Sequence, residues 1–291
     1  MNLRRAAVIG HPISHTMSPY IHSHLFALSG IRTEYAAMDI ADLGASAPKL
    51  RELDAFNVTI PYKEKIIPFL DSLDDKAAAF GSVNTVLVQN GQMKGFTTDG
   101  AGLMTAFAQS GAPLSGDILL LGSGGAARAI AFETAYALRD VHMTIVCREH
   151  SREKAEAIRQ GAETFAAGSG NTYCVLSYGE LEREEKKYRI LINATSVGMV
   201  PHADACPVGA EVIARCGTVF DAVYNPGDTL LMRQAKAQGK KLVYGMDMLV
   251  YQAVAAHEIW YGAKFPTEAL RELCRTAALP ETIGREMNRS L

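Results

Sequence analysis

No stretch of this 291-residue chain approaches the ~20 consecutive apolar residues that a membrane-spanning helix needs, so no membrane partner is expected. Neither sign of charge is in excess. The 29 Lys and Arg against 31 Asp and Glu leave a formal net charge of −2 and a pI near 6.5, which gives no electrostatic case for nucleic acid or an anionic surface. Cysteine is sparse: Cys147, Cys174, Cys206, Cys216 and Cys274 are odd in number and scattered, with no C-x-x-C pair. A disulfide framework is therefore not expected, and a reduced, cytoplasmic protein is. No H-E-x-x-H or comparable spacing is present, and His22 and His24 stand two apart, which cannot put them on one helix face; no metal is expected. The first ten residues carry two arginines but only a four-residue apolar run, too short for a secretory signal. What remains, 48% hydrophobic and 21% charged, is the composition of a globular protein long enough for two modest domains or one large one.

The most informative stretch that is present is Asp117-Ile-Leu-Leu-Leu-Gly-Ser-Gly-Gly-Ala-Ala-Arg128. An apolar run ends at a glycine turn and a helix-forming segment follows at once, the order of a dinucleotide-binding βα unit. Gly122 permits the tight turn, Gly124 lets the backbone approach a pyrophosphate, and Ala127 is small enough for the helix to pack on its strand. The helix N-terminus then offers unpaired N–H groups to the anion. A lone G-x-G-x-x-A is weak, but Val141–Cys147 supplies the second strand of a βαβ unit.

The first hundred residues alternate strand-like runs (6–9, 34–40, 56–60, 83–88) with helix-like ones (18–28, 43–53, 62–70), and Asn90-Gly91 is a hairpin turn signal. Beyond the nucleotide-binding turn come strands at 172–176, 190–193, 218–221 and 241–243, with a helix at 228–238 among the segments between them. After Gly245 three helical segments follow, roughly 246–261, 266–277 and 281–289, with no further strand. The fold expected is α/β with two domains. An N-terminal α/β substrate domain, residues 1–103, is completed by helices 246–291, and residues 104–245 form a Rossmann-type NAD(P)-binding domain.

The residue after the second βαβ strand discriminates between cofactors, since an acid there accepts from a ribose 2′-hydroxyl and an arginine accommodates a 2′-phosphate. The chain reads Cys147-Arg148-Glu149-His150-Ser151-Arg152. Arg148 sits at the deciding position, and Arg152 is one turn on if the segment is helical. Two guanidiniums suit a phosphate dianion, whereas Glu149 beside it would repel. NADP is favoured, with NAD or dual use as the alternative.

Four polar clusters interrupt apolar context in the first domain. In His11-Pro-Ile-Ser-His-Thr16-Met-Ser18-Pro19, Ser18 reads as a helix N-cap with Pro19 at the first helical position, which places the Thr16 and Ser18 hydroxyls beside a positive helix end suited to a carboxylate. In Asn57-Val-Thr-Ile-Pro-Tyr-Lys63, strand alternation puts Asn57 and Thr59 on one face, and Pro61 ends the strand so that Lys63 opens a helix. There its charge opposes the helix dipole unless it has a chemical task or an acidic partner; alone it reads as a surface lysine. Asn84 stands in Ser82-Val-Asn-Thr85, and Asp99 in Thr97-Thr-Asp-Gly100, singly a simple turn. In combination they suit ketone reduction, which needs a proton donor at the carbonyl oxygen and a group that orients it.

Together with Asn193-Ala-Thr-Ser-Val-Gly198, the segment Asp221 to Tyr224 and Gly245-Met-Asp-Met-Leu-Val-Tyr-Gln252, these motifs resemble the shikimate dehydrogenase family over nearly the whole chain. The resemblance implies NADPH-linked reduction of 3-dehydroshikimate to shikimate, in aromatic amino-acid (chorismate) biosynthesis. It implies a catalytic pair, Lys63 and Asp99. Thr16, Ser18 and Tyr224 would hold the substrate carboxylate, and Thr59, Asn84 and Gln252 would hydrogen-bond the substrate. Gly122, Ser123, Gly124, Gly125 and Ala126 would cradle the pyrophosphate, Arg148 and Arg152 would hold the 2′-phosphate, and Thr195, Ala222 and Gly245 would line the nicotinamide side. Thr16 stands where serine is usual, and Cys147 and Glu149 where Asn and Thr are usual. A quinate/shikimate dehydrogenase with NAD or dual cofactor use is the alternative, and a non-catalytic nucleotide sensor on the same scaffold is the alternative of another class. The partner expected is a small molecule, for a monomer or a homodimer.

Overall fold

The computed structural model describes residues 4–13 and 16–288. Ser14 and His15 of the first polar cluster, and Arg289 at the end of the last expected helix, lie outside the described residues. The chain divides into two compact units, residues 1–102 with 250–291, and residues 103–249.

The first unit is built on a mixed sheet of β1 (Arg4–Gly10), β2 (Thr33–Asp39), β3 (Ala55–Val58), β4 (Ser72–Leu73), β5 (Thr85–Gln89) and β6 (Gln92–Phe96), in the order β2-β1-β3-β5-β6-β4. β1 is parallel to both its neighbours, β3–β5–β6 is an antiparallel meander, and Asn90 (φ 53) and Gly91 (φ 75) make the expected tight hairpin. Residues 6–10 of β1 are all buried, as a strand covered on both faces must be. One face packs Ile9, Phe56, Val58 and Met93 against Leu43 and Leu50 of α2 (Leu43–Leu50) and Ala77 of α3 (Asp75–Phe80). On the other, Ala6 and Ala55 meet Phe26 of α1 (Ser18–Ser29) and, from the far end of the chain, Ala256 and Trp260.

Three local expectations shift. Residues 62–70 form turns and then only a 3-10 turn, Ile67–Phe69, where Pro68 supplies no N–H to an α-helical ladder. Lys63 therefore opposes no helix dipole. α2 stops at Leu50 rather than reaching residue 53, with Pro48 inside its last turn. β3 ends at Val58, so Thr59 and Ile60 belong to the turn before Pro61; the Thr59 N–H still donates to the Ile9 carbonyl at 2.9 Å.

The second unit is a wholly parallel sheet of β7 (Asp117–Leu121), β8 (His142–Cys147), β9 (Thr172–Ser177), β10 (Tyr188–Asn193), β11 (Cys216–Asp221) and β12 (Lys241–Tyr244). Its order, β12-β11-β10-β7-β8-β9, is from the other edge 3-2-1-4-5-6 within the unit, the doubly wound order of a Rossmann-type domain. The helices are α4 (Asp99–Gln109), whose first residues belong to the other unit, then α5 (Gly125–Ala137), α6 (Arg152–Phe165), α7 (Tyr178–Arg183), α8 (Ala210–Ala214) and α9 (Leu230–Ala237). α10 (Gly245–Tyr261) returns the chain to the first unit, where α11 (Thr267–Ala277) and α12 (Pro280–Asn288) complete it. Residues 118–121 of β7 are wholly buried, and Ala127 of α5 is buried above them, the close helix–strand packing that a small side chain permits. The order reverses between β7 and β10, so the carboxyl ends of those two strands are where such a sheet binds ligands.

Candidate functional site

Lys63 and Asp99, 36 residues apart, meet in the first unit: Lys63 Nζ donates to Asp99 Oδ2 at 2.6 Å. The lysine side chain keeps 32% of its surface exposed and the aspartate 15%, so the pair is reachable by a ligand but anchored from below. The anchors are local. Tyr62, buried in the core, donates to the Ile40 carbonyl, and the Lys63 carbonyl accepts from Val83 N at 2.8 Å. Asp99 opens α4, where its negative charge suits the helix end.

Asn84 joins this pair to two further elements. Its Nδ2 lies 2.9 Å from Asp99 Oδ1, 3.0 Å from Thr98 Oγ1 and 3.0 Å from Gln252 Oε1 on α10. The Thr98 backbone N–H donates to Asn84 Oδ1 at 2.8 Å, which sets the amide so that its NH₂ faces Asp99. Behind it, Asn57 Nδ2 reaches the Asn84 carbonyl and Thr85 Oγ1, both at 3.3 Å, and Asn57 Oδ1 accepts from Tyr35 Oη at 2.8 Å. Burial holds the Tyr35 phenol well above its ordinary range. A continuous polar relay thus runs from Tyr35 through Asn57 and Asn84 to Asp99 and Lys63. Tyr35, Thr85 and Thr98 were not singled out by sequence, and Asn57 was read only as the strand-face partner of Thr59. Their signal, polar side chains that become buried, exists only once the chain is folded.

Ser18 does not cap α1 as expected. Met17 occupies the cap position in an already helical conformation (φ −84, ψ −6), and Thr16 Oγ1 accepts from the Ser18 N–H at 3.2 Å. The Thr16 hydroxyl makes a local turn contact just ahead of the helix, and Pro19 stands in its first turn. Thr59, half-buried, sits in the turn between β3 and Lys63.

His22 and His257 fill the space behind Tyr35. Both are wholly buried, with His22 Nδ1 and His257 Nε2 at 3.1 Å, and the His22 ring stacks on Tyr35 at 4.3 Å. Burial lowers both, His257 to about 3, with the charge of His257 a further cause for His22. They are packing groups held neutral.

In the second unit, a cavity of about 580 Å³ opens at the carboxyl ends of β7, β8 and β10, lined by Gly122, Ser123 and Gly124 with Cys147, Arg148, Ala194 and Thr195 among others. Gly122 has φ +112, and a Cβ there would meet Thr195 Cγ2 at 3.0 Å and the Ala194 carbonyl at 3.1 Å, so only glycine fits. A Cβ on Gly124 or Gly125 would meet nothing within 4 Å: the turn at the start of α5 faces open space. That cradle, with a helix N-terminus beneath it and Arg148 at its rim, fits a dinucleotide. Thr195 is pinned by Asn193, whose Oδ1 accepts from the Thr195 N–H at 3.1 Å and its hydroxyl at 2.7 Å; Asn193 in turn donates to the buried Asp221 at 2.9 Å. Burial raises the Asp221 carboxyl, against hydrogen bonds from Thr229, Val223 and Asn193. Gly245 lies where a Cβ would stand 2.6 Å from the carbonyl oxygens of both Asp221 and Ala222, a close approach closed to any other residue. Tyr224 follows β11 in this same unit and is half-buried.

Arg148 and Arg152 part company. Arg148 is exposed in extended backbone (φ −73, ψ 150), so residues 148–152 are not one helical turn. Arg152 Nη1 pairs with Glu180 Oε2 at 3.0 Å and is not among the residues lining the cavity; nor is Glu149. Glu180 also closes the capping box of α7 with Ser177, and those hydrogen bonds, with that from Arg152, hold its carboxyl down at about 2. Among the described residues no cluster of His, Cys, Asp or Glu could hold a metal ion, and no helix is long and apolar enough to cross a membrane.

Two family models match the chain: the shikimate dehydrogenase substrate binding domain over residues 8–86, and the shikimate 5'-dehydrogenase C-terminal domain over residues 245–275. A shikimate dehydrogenase (NADP(+)) of Methanococcus maripaludis is 36% identical over 263 residues, covering 88% of this chain and 91% of its own. Among solved structures, shikimate 5-dehydrogenase of Thermus thermophilus in complex with NADP(H) and shikimate superposes with a TM-score of 0.81 at 32% identity, covering 94% and 99% of the two chains. The enzyme of Listeria monocytogenes in complex with shikimate and NAD gives a TM-score of 0.82 at 29% identity, covering 93% and 96%. With a lysine–aspartate pair in a mixed α/β unit, a glycine cradle on a doubly wound sheet and this extent of likeness, the chain belongs to the shikimate dehydrogenase family.

Proposed function

We propose that the protein catalyses the reversible NADP-dependent reduction of 3-dehydroshikimate to shikimate, a step of aromatic amino-acid biosynthesis. The observation that carries this reading is the 2.6 Å contact of Lys63 Nζ with Asp99 Oδ2 in the unit that matches the substrate-binding family model. NADPH, when bound, supplies the hydride that adds to the carbonyl carbon. The developing alkoxide takes its proton from the Lys63 ammonium, which returns to the ammonium form by taking a proton from solvent. Asp99 holds Nζ in place, and Asn84, Thr59 and Gln252 hydrogen-bond the ring hydroxyls. The Thr16 and Ser18 hydroxyls bind the carboxylate. Gly122 to Ala126 cradle the pyrophosphate, and Thr195, Ala222 and Gly245 border the nicotinamide. A nucleotide sensor without turnover would have no use for the dyad.

The test is a spectrophotometric assay at 340 nm with shikimate or quinate and with NADP or NAD. The reading requires rapid NADP-linked shikimate oxidation. Faster NAD-linked quinate oxidation would replace it with a quinate dehydrogenase, and NADPH binding without any turnover would replace it with a sensor.

A further inference from the structure

Asp221 ends β11 wholly buried, and its hydrogen-bond partners are three neutral donors. Oδ1 accepts from Asn193 Nδ2 at 2.9 Å and from the Val223 N–H at 3.0 Å, and Oδ2 accepts from the Thr229 hydroxyl at 2.6 Å. The donor sense is fixed at each partner. Asn193 Oδ1 is committed to the Thr195 N–H, which turns its NH₂ toward Asp221. Thr229 Oγ1 accepts from the Met232 N–H at 3.3 Å, which leaves its proton for Asp221. Both oxygens must therefore accept, which suits a carboxylate. Such a group is costly to bury, and packing at the end of a strand does not call for one.

Its effect is a hold on the turn that walls the cofactor cavity. Ala194, Thr195, Ser196 and Val197 line that cavity, whereas Asp221 is not among the lining residues. Within the turn, the Thr195 hydroxyl donates to Asn193 Oδ1 at 2.7 Å and accepts from the Val197 N–H at 3.1 Å, and Asn193 Nδ2 also reaches the Val197 carbonyl at 3.3 Å. The Ala222 N–H donates to the Asn193 carbonyl at 2.9 Å, and Gly245 packs against the carbonyls of Asp221 and Ala222. Thr195, Ala222 and Gly245, at three different strand ends, thus converge on Asp221 and its partner Asn193. In a doubly wound sheet each half of a dinucleotide lies over one half of the strands. Arg148, after β8, marks the adenosine half, which leaves the nicotinamide half over β10, β11 and β12.

Resting on the NADP reading above, we infer that the Asp221 carboxylate is a positioning residue for the hydride donor. Through Asn193 and the turn at 194–197 it fixes the surface on which the nicotinamide ring rests, without touching the ring.

Calorimetric titration of the intact enzyme with NADPH and with 2′,5′-ADP, which lacks the nicotinamide half, separates the two halves of the site without turnover. Asp221→Ala and Asn193→Ala should each weaken NADPH by ~10-fold and leave 2′,5′-ADP within about two-fold, the size expected when one buried hydrogen-bonding group loses its partner. The double variant should be no worse than either single one, because both cut the same link. Asp221→Asn keeps an oxygen toward Asn193 and should recover most of the NADPH affinity. In steady-state assays kcat should fall more than KM for shikimate changes, with a larger isotope effect from 4-deuterated NADPH as hydride transfer slows. If Asp221→Ala does not fold, the ratio of the two affinities in Asn193→Ala decides. Equal weakening of both ligands, or a lowered melting temperature with that ratio unmoved, would overturn the inference and leave Asp221 a structural group. The NADP reading fails separately, if the unmodified enzyme shows no NADP-linked oxidation of shikimate.

Discussion

The two units build their sites by opposite means. In the first, side chains grip one another: Lys63, Asn84, Asp99 and Gln252, drawn from four parts of the chain, with Asn84 and Gln252 168 residues apart, occupy each other's hydrogen-bonding groups. In the second, the site is made of backbone and space. Glycines at 122, 124 and 245 are there for what a side chain would obstruct or for the room they leave. A site that must hold a proton donor within a few tenths of an ångström needs a network to fix it. One that must seat a phosphate chain needs exposed N–H groups and no Cβ in the way. The first kind should fail by losing catalysis with its fold intact, the second by losing shape.

The sharpest way to break that contrast is Lys63→Ala. It should lower kcat by ~10²–10⁴-fold with a smaller effect on KM, because a positioned acid–base group acts chiefly in the transition state. A near-normal kcat in steady-state assays would reduce Lys63 to a surface cation. In the second unit, Gly245→Ala forces a Cβ to within 2.6 Å of two carbonyl oxygens. It should cost about 1–3 kcal/mol in urea unfolding, as overpacking does, and weaken NADPH binding in parallel. Weakened binding at unaltered stability would mean that the glycine serves the ligand alone.

The histidine pair sharpens the comparison through pH. Both His22 and His257 are lowered in the folded state, His257 to about 3, from an ordinary value of 6.5. Below 6.5 the unfolded chain binds protons that the folded one refuses. Their contribution is therefore complete above pH 6.5 and declines as pH falls toward 3, by at most about 1.4 kcal/mol per pH unit for each histidine. Chemical denaturation from pH 7.5 to 4.5 should show this slope, and His257→Phe should flatten it; an unchanged slope in that variant would place the acid sensitivity elsewhere. Tyr35→Phe removes the donor to Asn57 Oδ1, at a cost of about 1–3 kcal/mol, and should lower kcat through the relay to Asp99. A loss of stability with kcat unmoved would make Tyr35 structural only. The smallest effect expected is from Thr16→Ala, a several-fold rise in KM for shikimate at nearly constant kcat.

How much was legible from residues alone follows the same division. The nucleotide turn is local, the twelve residues Asp117 to Arg128 whose order dictates strand, turn and helix, and β7, the turn and α5 appear where the pattern placed them. Lys63 and Asp99 could be nominated only in combination and by resemblance, because either one singly reads as surface or turn. The one local signal at Lys63, a charge opposing a helix dipole, is void in the fold, since no α-helix forms there. Ser18 does not cap α1, because cap geometry depends on the backbone conformation of Met17, which no residue type announces. Tyr35 and Thr98 gave no signal, their importance being the identity of neighbours distant in sequence.

What the sequence by itself determined was the alternation of strand and helix, the doubly wound nucleotide unit and the residue types available to each site, because these follow from short-range periodicity and from the conformational range of glycine and proline. Which cation pairs with which carboxylate was decided only by tertiary structure. Arg152 facing Glu180, Lys154 facing the cavity and Lys63 meeting Asp99 depend on where separate elements come to rest, and charge alone does not choose among partners of the same sign.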